Sequence, residues 1–524
     1  MSHSLHEIKI QNKHIVLILA SIIFSTILVR AFFYPYDLPI THDGNNYFSY
    51  ALDTSILNSL PTDYTLPNNG WPVFLSLFFK IFQFDSALGY MDLQRVLSII
   101  ISVTTIIPVY FLCRKFFSPI LSLIGCILFA FSPQLIQNSL LGIAEPLYIF
   151  LITVSLSLFL SKKPKLVYCS FWIITLASIV RYEGIVLLIP LSIIFFIKFE
   201  NKKKIIPKYF FIIIICILIL LPIAYLRMET TNNDGFSNVI KGPQYIINVS
   251  TTEEYYHKSI IDFIKDGITG IFKYLGWSLI PYFLILVPFG IMKIFRNMNY
   301  NKKTIILFSA FLLIPAFYAY SREFEDGRYV FVMYPIFALI SLYLIEFFMN
   351  KKNNVKWISG IVIGIIGCSS IFFLIDQVTD YDYEREYLDI AFYIYHNMGA
   401  VNNYYPEGKY LNFLKYDASN DFPKLSKDFP LMRNYKIISE AEVPATNSII
   451  EYIEFTKEKN LTHIVTNGVN AKPDILNSIF SNENDYPYLE KIFDSKEQGY
   501  QVHVKIFKVN YDMIETNVEN ELSK

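Results

Sequence analysis

Charge is what this sequence has least of. Only 17% of its 524 residues are Asp, Glu, Lys or Arg, against 53% hydrophobic and 17% aromatic; soluble enzymes carry about a quarter charged residues, so an ordinary soluble enzyme is excluded. Cysteine is sparse too. The five present (Cys113, Cys126, Cys169, Cys216 and Cys368) all fall in apolar runs without paired spacing, which supports neither a disulfide framework nor a zinc site and leaves them as small core residues. Tryptophan is missing altogether beyond Gln377. Gly-rich phosphate loops and Gly-x-Ser-x-Gly elbows are absent, so chemistry driven by a soluble nucleotide is unsupported. There is no low-complexity stretch or repeat of fixed period, and with a formal net charge of zero nucleic acid is not an expected partner.

What the chain has is long apolar runs. Eleven are long enough to cross, or nearly cross, a hydrocarbon core about 30 Å thick: residues 14–33, 91–113, 119–138, 144–161, 165–180, 183–198, 205–226, 270–292, 304–320, 328–349 and 355–376. Loop lysines and arginines then set the orientation. Lys9 and Lys13, Arg114 and Lys115, Lys162 and Lys163, Lys202 to Lys204, Lys302 and Lys303, and Lys351 and Lys352 all fall on one side, which the positive-inside rule makes the cytoplasm. The polar N-terminus is therefore cytoplasmic, and the first span reads as an uncleaved helix. Trp71–Phe84 is apolar but short and contains Lys80; as a span it would invert every later loop, so it is expected as a juxtamembrane or re-entrant helix within an external loop, 34–90.

From Gln377 onward the chain holds 24 acidic and 15 basic residues, which leaves the rest with an excess of nine positive charges. The two parts face different surroundings. Residues 1–376 form the membrane part, and 377–524 a soluble α/β domain that an odd number of spans puts outside the cell membrane. In that domain Ile449–Lys457 has helical spacing, Thr462–Gly468 reads as a strand ending in a turn, and Gln501–Val509 alternates like a half-buried strand. Asn248 and Asn460 begin sequons on the predicted outer side.

Ionisable residues that look out of place gather on that side. Asp43, in Pro39–Tyr50, follows the first span directly; a carboxylate at a membrane rim can take a proton from an acceptor hydroxyl, or can cap a helix beginning at Gly44. His42 beside it could orient a substrate, and Asp37 reads as a solvated loop charge. Glu145, before Pro146, opens a span, where it could hold a sugar hydroxyl or a metal, or favour the helix dipole. Arg181 and Glu183, in Arg181-Tyr-Glu-Gly184, lie between two apolar runs and are either functional or paired with each other. Arg322, Arg328 and Tyr329 close the set. Arg328 heads a span and can grip a phosphate with two hydrogen bonds, or simply anchor the helix at the interface.

Taken in order, Asn69-Gly-Trp-Pro-Val-Phe-Leu, Leu93-Gln-Arg-Val-Leu-Ser98, Tyr110–Phe117, Ala144-Glu-Pro-Leu147 and Arg328–Pro335 resemble the GT-C membrane glycosyltransferases. The pattern is most similar to protein O-mannosyltransferases and lipid A aminoarabinose transferases, and the likeness runs from Ile15 to Asp376. Arg181-Tyr-Glu-Gly184 is similar to a motif of related lipid-linked-sugar mannosyltransferases. The resemblance implies an inverting transfer from a polyprenyl-phosphate sugar to a protein, lipid or glycan acceptor on the outer face. Asp43 would be the general base, Glu145 would organise the cavity and Arg328 would hold the donor phosphate. Two departures bear on metal use. The family's first loop often has paired acids, whereas Gly44 follows Asp43, and its second acidic position is here a glutamate before proline. If a divalent metal takes part, Asp43 and Glu145 are its ligands, and no other cofactor is expected. A flippase of lipid-linked sugars would spread polar residues through both leaflets. An oligosaccharyltransferase would carry a Trp-Trp-Asp-Tyr-Gly signature in its external domain, and none exists after Gln377.

Overall fold

The computed structural model of the protein describes residues 12–199 apart from 63–65 and 67, 205–241, 260–352 apart from 297, 355–398, 400–402, 410, 439–441, 457, 461–467 and 474–513. The chain is mainly helical. From the N-terminus run α1 (Asn12–Phe32), α2 (His42–Leu57), α3 (Gly70–Ile81), α4 (Ala87–Thr104), α5 (Ile106–Cys113), α6 (Pro119–Ala130), α7 (Pro133–Leu140), α8 (Glu145–Phe159) and α9 (Pro164–Val180). A 3-10 turn (Tyr182–Leu187) leads into α10 (Leu188–Phe199), followed by α11 (Ile205–Thr231), α12 (Ile260–Leu279), α13 (Phe283–Ile294), α14 (Tyr300–Leu312) and α15 (Ile314–Ser321). A second 3-10 turn (Gly327–Met333) precedes α16 (Tyr334–Lys352) and the long α17 (Val355–Asn397).

Proline sets four consecutive helix starts: Pro119, Pro133, Pro146 and Pro164 occupy first-turn positions of α6 to α9. Its fixed φ suits that turn and its missing N–H would be unpaired there anyway. Proline also forces Ser118, Ser132 and Lys163 before it into extended backbone.

The eleven expected spans are not all found. Among the described residues seven helices are long and apolar enough to cross a membrane, and up to nine if each of two bent pairs counts as one span. The expected span 119–138 is broken at Pro133 into α6 and α7 with a 53° bend, and 270–292 turns by 112° between α12 and α13, at Pro281. In each case proline removes the helical N–H that would carry the run on. The runs at 144–161 and 165–180 form α8 and α9, of 15 and 17 residues, only about 22 and 25 Å long at 1.5 Å per residue. The helix expected within Trp71–Phe84 is the 12-residue α3, which starts at Gly70 and ends at Ile81. The chain is a multi-pass membrane protein. Gly327–Asn350 is 83% buried and lies at the centre of the helices, whereas Ile205–Thr231 is 11% buried and presents apolar side chains suited to lipid.

The structure divides into two compact units. One comprises Met1–Tyr34, Asn46–Phe82 and Leu93–Ile375; the other takes Asp376–Lys524 together with Pro35–Asn45 and Gln83–Asp92. Two pieces of the first loop are grouped with the C-terminal stretch in this second unit. There, strands β1 (Ala400–Asn402), β2 (Ser439–Ala441), β3 (His463–Thr466), β4 (Leu489–Asp494) and β5 (Lys505–Val509) form a sheet in the order β2-β1-β3-β5-β4, parallel at β2-β1-β3 and antiparallel at β3-β5-β4. Leu461, Ile464, Ile479 and Phe507 fill its core with α18 (Asp474–Ser481). The helical spacing at 449–457, apart from Lys457, and both sequon asparagines lie outside the described residues.

Candidate active site

The turn before α8 is built first. Gly142 has a φ of +68°, a left-handed conformation that glycine adopts without steric cost. Its carbonyl accepts the Trp71 indole N–H at 2.9 Å and the Gln94 amide at 2.7 Å, and Arg95 Nε donates to the Leu140 carbonyl at 2.7 Å. Three buried side chains from α3 and α4 therefore fix where α8 begins. Glu145 stands at that start, 7% exposed.

Arg181 reaches Glu145 from the end of α9. Its backbone leaves the helix in extended conformation, and Nη1 donates to Glu145 Oε1 at 2.6 Å while Nη2 donates to Glu183 Oε1 at 3.2 Å. Tyr148, one turn along α8, and Tyr329 flank the guanidinium, with ring centroids 5.9 and 5.3 Å away. Burial opposes the charge on Arg181, but Glu183 and Glu145 outweigh it and raise its pKa. Each glutamate spends only one oxygen on this contact. Oε2 of Glu145 and Oε2 of Glu183 are buried with no hydrogen-bond partner among the described residues.

Arg328 completes the group from the 3-10 turn before α16. Asp326 caps that turn, accepting the Arg328 backbone N–H at 2.8 Å and its Nε at 2.6 Å. Arg328 is more exposed than Arg181, 27% against 14% for the side chains. Glu145, Arg181, Glu183, Arg328 and Tyr329 all line one partly open cavity, with Leu312 and Pro315 adding apolar wall. Five residues singled out from sequence thus meet, although they lie on four separate elements.

Others stand elsewhere. Arg322 is exposed, with its guanidinium over Tyr318 and Phe324 at 5.7 and 5.3 Å, and does not line the cavity. Asp43 and His42 belong to the second unit. The helix begins at His42 and not at Gly44, so Asp43 lies exposed inside its first turn, where the helix dipole favours a carboxylate. His42 has a φ of +50°, a strained value for a residue with a Cβ. Tyr148 and Asp326 were missed from sequence. Tyr148 was legible as the residue one turn after Glu145, and Asp326 as an acid two places before Arg328.

Metal ligation is not supported by these residues. No group of three or more His, Cys, Asp or Glu side chains stands together among the described residues, and the Arg181 guanidinium already bridges Glu145 and Glu183. That donor set does not suit a divalent cation as it stands.

Residues 70–225 match the family model described as dolichyl-phosphate-mannose-protein mannosyltransferase. No curated protein sequence matches the chain. Among solved structures the chain is similar to ArnT from Cupriavidus metallidurans bound to undecaprenyl phosphate, with 9% identity over 95% of this chain and 98% of that one and a TM-score of 0.58. It is also similar to the oligosaccharyltransferase from Archaeoglobus fulgidus in the apo form, with 11% identity over 90% and 71% of the two chains and a TM-score of 0.58. The same archaeal enzyme in complex with Zn and sulfate matches at 13% identity, 90% and 71% coverage and a TM-score of 0.53.

Proposed function

From the premise that this is a membrane protein with the fold of the GT-C glycosyltransferases, we propose that it transfers a sugar from a polyprenyl-phosphate donor to a protein, lipid or glycan acceptor at the outer membrane face. The observation that carries the reading is the convergence of Glu145, Arg181, Glu183, Arg328 and Tyr329 on one cavity.

The charges assign the two ends of the donor. At the buried end two carboxylates, Glu145 and Glu183, stand against one cation, Arg181, so that end is net anionic and disfavours a phosphate. It favours hydroxyl groups, because the two buried Oε2 atoms can accept hydrogen bonds and have no donor among the described residues. The sugar therefore enters towards Glu145 and Glu183, and the phosphate stays by the more exposed Arg328. Asp326 fixes that side chain in advance, so little conformational freedom is lost on binding.

The base is assigned from sequence order and family resemblance. Asp43 takes the proton from the acceptor hydroxyl as its oxygen attacks the anomeric carbon. The bond from that carbon to the phosphate oxygen breaks on the opposite side, so the configuration inverts, and the electron pair leaves with polyprenyl phosphate. A phosphate leaving group needs no acid, only a cation to receive its developing charge. The loop lysines and arginines support a cytoplasmic N-terminus and an extracytoplasmic C-terminal domain in this reading.

Donor binding tests the cavity. Adding undecaprenyl phosphate to purified protein in detergent should raise the wild-type melting temperature, with about 2.7 kcal/mol of stabilisation at a hundred times Kd. Arg328→Gln should need at least ten-fold more ligand for the same shift. A wild-type protein indifferent to the lipid phosphate would contradict the reading.

A further inference from the structure

Asp37 is exposed, as its sequence context suggests, but it is also held in an ion pair. Arg385, on the part of α17 that continues past the apolar window Trp357–Ile375, grips it with two prongs: Nε to one carboxylate oxygen at 2.5 Å and Nη2 to the other at 3.1 Å. The third edge of the guanidinium is taken by Asp382, one turn earlier on the same helix, at 2.7 Å. The fork is thereby oriented before it meets Asp37, and planar two-pronged contacts of this kind define direction as well as distance. The hydrogen bond from Arg385 is the chief cause holding the Asp37 carboxyl below its usual range, and Asp37 raises Arg385 in turn. The contact is therefore intact at neutral and mildly acid pH and is lost only as pH falls through the depressed value of Asp37.

The same stretch of α17 is anchored on a second face. Glu386, the next residue and about 100° around the helix, accepts the backbone N–H groups of Gln501 and Val502 at 3.0 and 2.8 Å, just ahead of β5. Tyr393, two turns on, stacks against Phe493 of β4 at 4.6 Å. The helix thus holds the sheet on one face and Asp37 on another. Between Asp37 and Asp43 the chain is short and packed: Leu38 and Ile40 are each 3% exposed, and the Ile40 N–H points to the Met91 sulfur at 3.4 Å. All of these groups belong to the second unit.

We propose that Arg385 is a positioning residue for the reaction: acting through Asp37, it makes the extension of α17 the support that sets the place of the Asp43 carboxylate. The inference rests on the reading of Asp43 as the base. It makes the C-terminal unit part of the catalytic apparatus, because anything that shifts the sheet shifts α17 and with it the loop carrying Asp43.

The test is a double-mutant cycle on the full-length protein, with hexose release from dolichyl-phosphate mannose as the assay and Asp43→Asn measured alongside. An exposed ion pair adds little to global stability, so Arg385→Gln and Asp37→Asn should melt with the wild type; if Arg385→Gln folds poorly, Asp37→Asn carries the comparison. Each single variant should lose about ten-fold in kcat, the scale of a modest misplacement of a reacting group, with the KM for donor unchanged. The double variant should lose no more than either single, and Arg385→Lys, which offers one prong, should fall between. Wild-type kcat in both singles while Asp43→Asn is inactive would overturn the positioning role and leave the base standing. Losses that multiply in the double variant would overturn it too, since the two residues would then act separately. Full activity of Asp43→Asn would instead remove the base, and this inference with it.

Discussion

Arg181 is the residue on which the cavity depends. It sits between Glu145 and Glu183 at 2.6 and 3.2 Å, with all three side chains at most 14% exposed. The two aromatic faces of Tyr148 and Tyr329 add attraction that any flat cation would feel. Arg181→Met keeps much of the bulk but leaves two buried carboxylates without a counter-ion, a change that typically costs 3–5 kcal/mol. We expect a loss of about 3 kcal/mol, read as a lower melting temperature in detergent. Arg181→Met/Glu145→Gln should recover part of it, because one of the stranded charges is gone. The identity of these residues was legible in the sequence, since charges beside apolar runs stand out. Which partner each would take was not. Arg181 pairs with Glu183, the local partner that spacing suggested, and more closely with Glu145, 36 residues away. Arg322 turns to the rings of Tyr318 and Phe324 and away from the cavity.

At the scale of elements, the cavity rests on how closely α3 approaches α9. A Cβ added to Gly70, the first residue of α3, would meet the Ile179 carbonyl oxygen at 2.5 Å and the Val180 nitrogen at 2.7 Å, directly before Arg181. Nearby, Asn68 accepts the Tyr182 N–H at 3.0 Å. The glycine is needed because backbone, not a flexible side chain, occupies the space. Gly70→Ala should therefore cost about 1–3 kcal/mol and weaken undecaprenyl phosphate binding. Gly364→Ala in α17, where an added Cβ meets nothing within 4 Å, should change stability by no more than about 1 kcal/mol and in the favourable direction. Thermal unfolding of the two variants side by side checks the contrast. Hydropathy located nearly all of these helices, because a run of twenty apolar residues has few alternatives. It misjudged continuity, since proline at 133 and 281 interrupts runs whose composition alone reads as unbroken. It also could not show that α17 runs on to Asn397, because polar residues are equally at home in a loop and on a helix outside the membrane.

Across the whole molecule, the membrane unit holds the cavity and the other unit holds Asp43, a division that sequence order conceals because Asp43 lies between α1 and the rest of the membrane helices. Asp37 and Arg385 are 348 residues apart, a distance over which no local pattern reports. The fold is equally similar, at a TM-score of 0.58, to ArnT bound to undecaprenyl phosphate and to the archaeal oligosaccharyltransferase. Turnover separates the central claim from its rivals most directly. Purified protein given polyprenyl-phosphate mannose, with hydroxyl-bearing peptides or lipids as acceptors, should transfer the sugar with inversion or release it to water. Asp43→Asn should bind the donor as well as wild type while losing at least a hundred-fold in kcat, the usual worth of a positioned base. Donor bound by both proteins but neither transferred nor hydrolysed by the wild type would contradict the account.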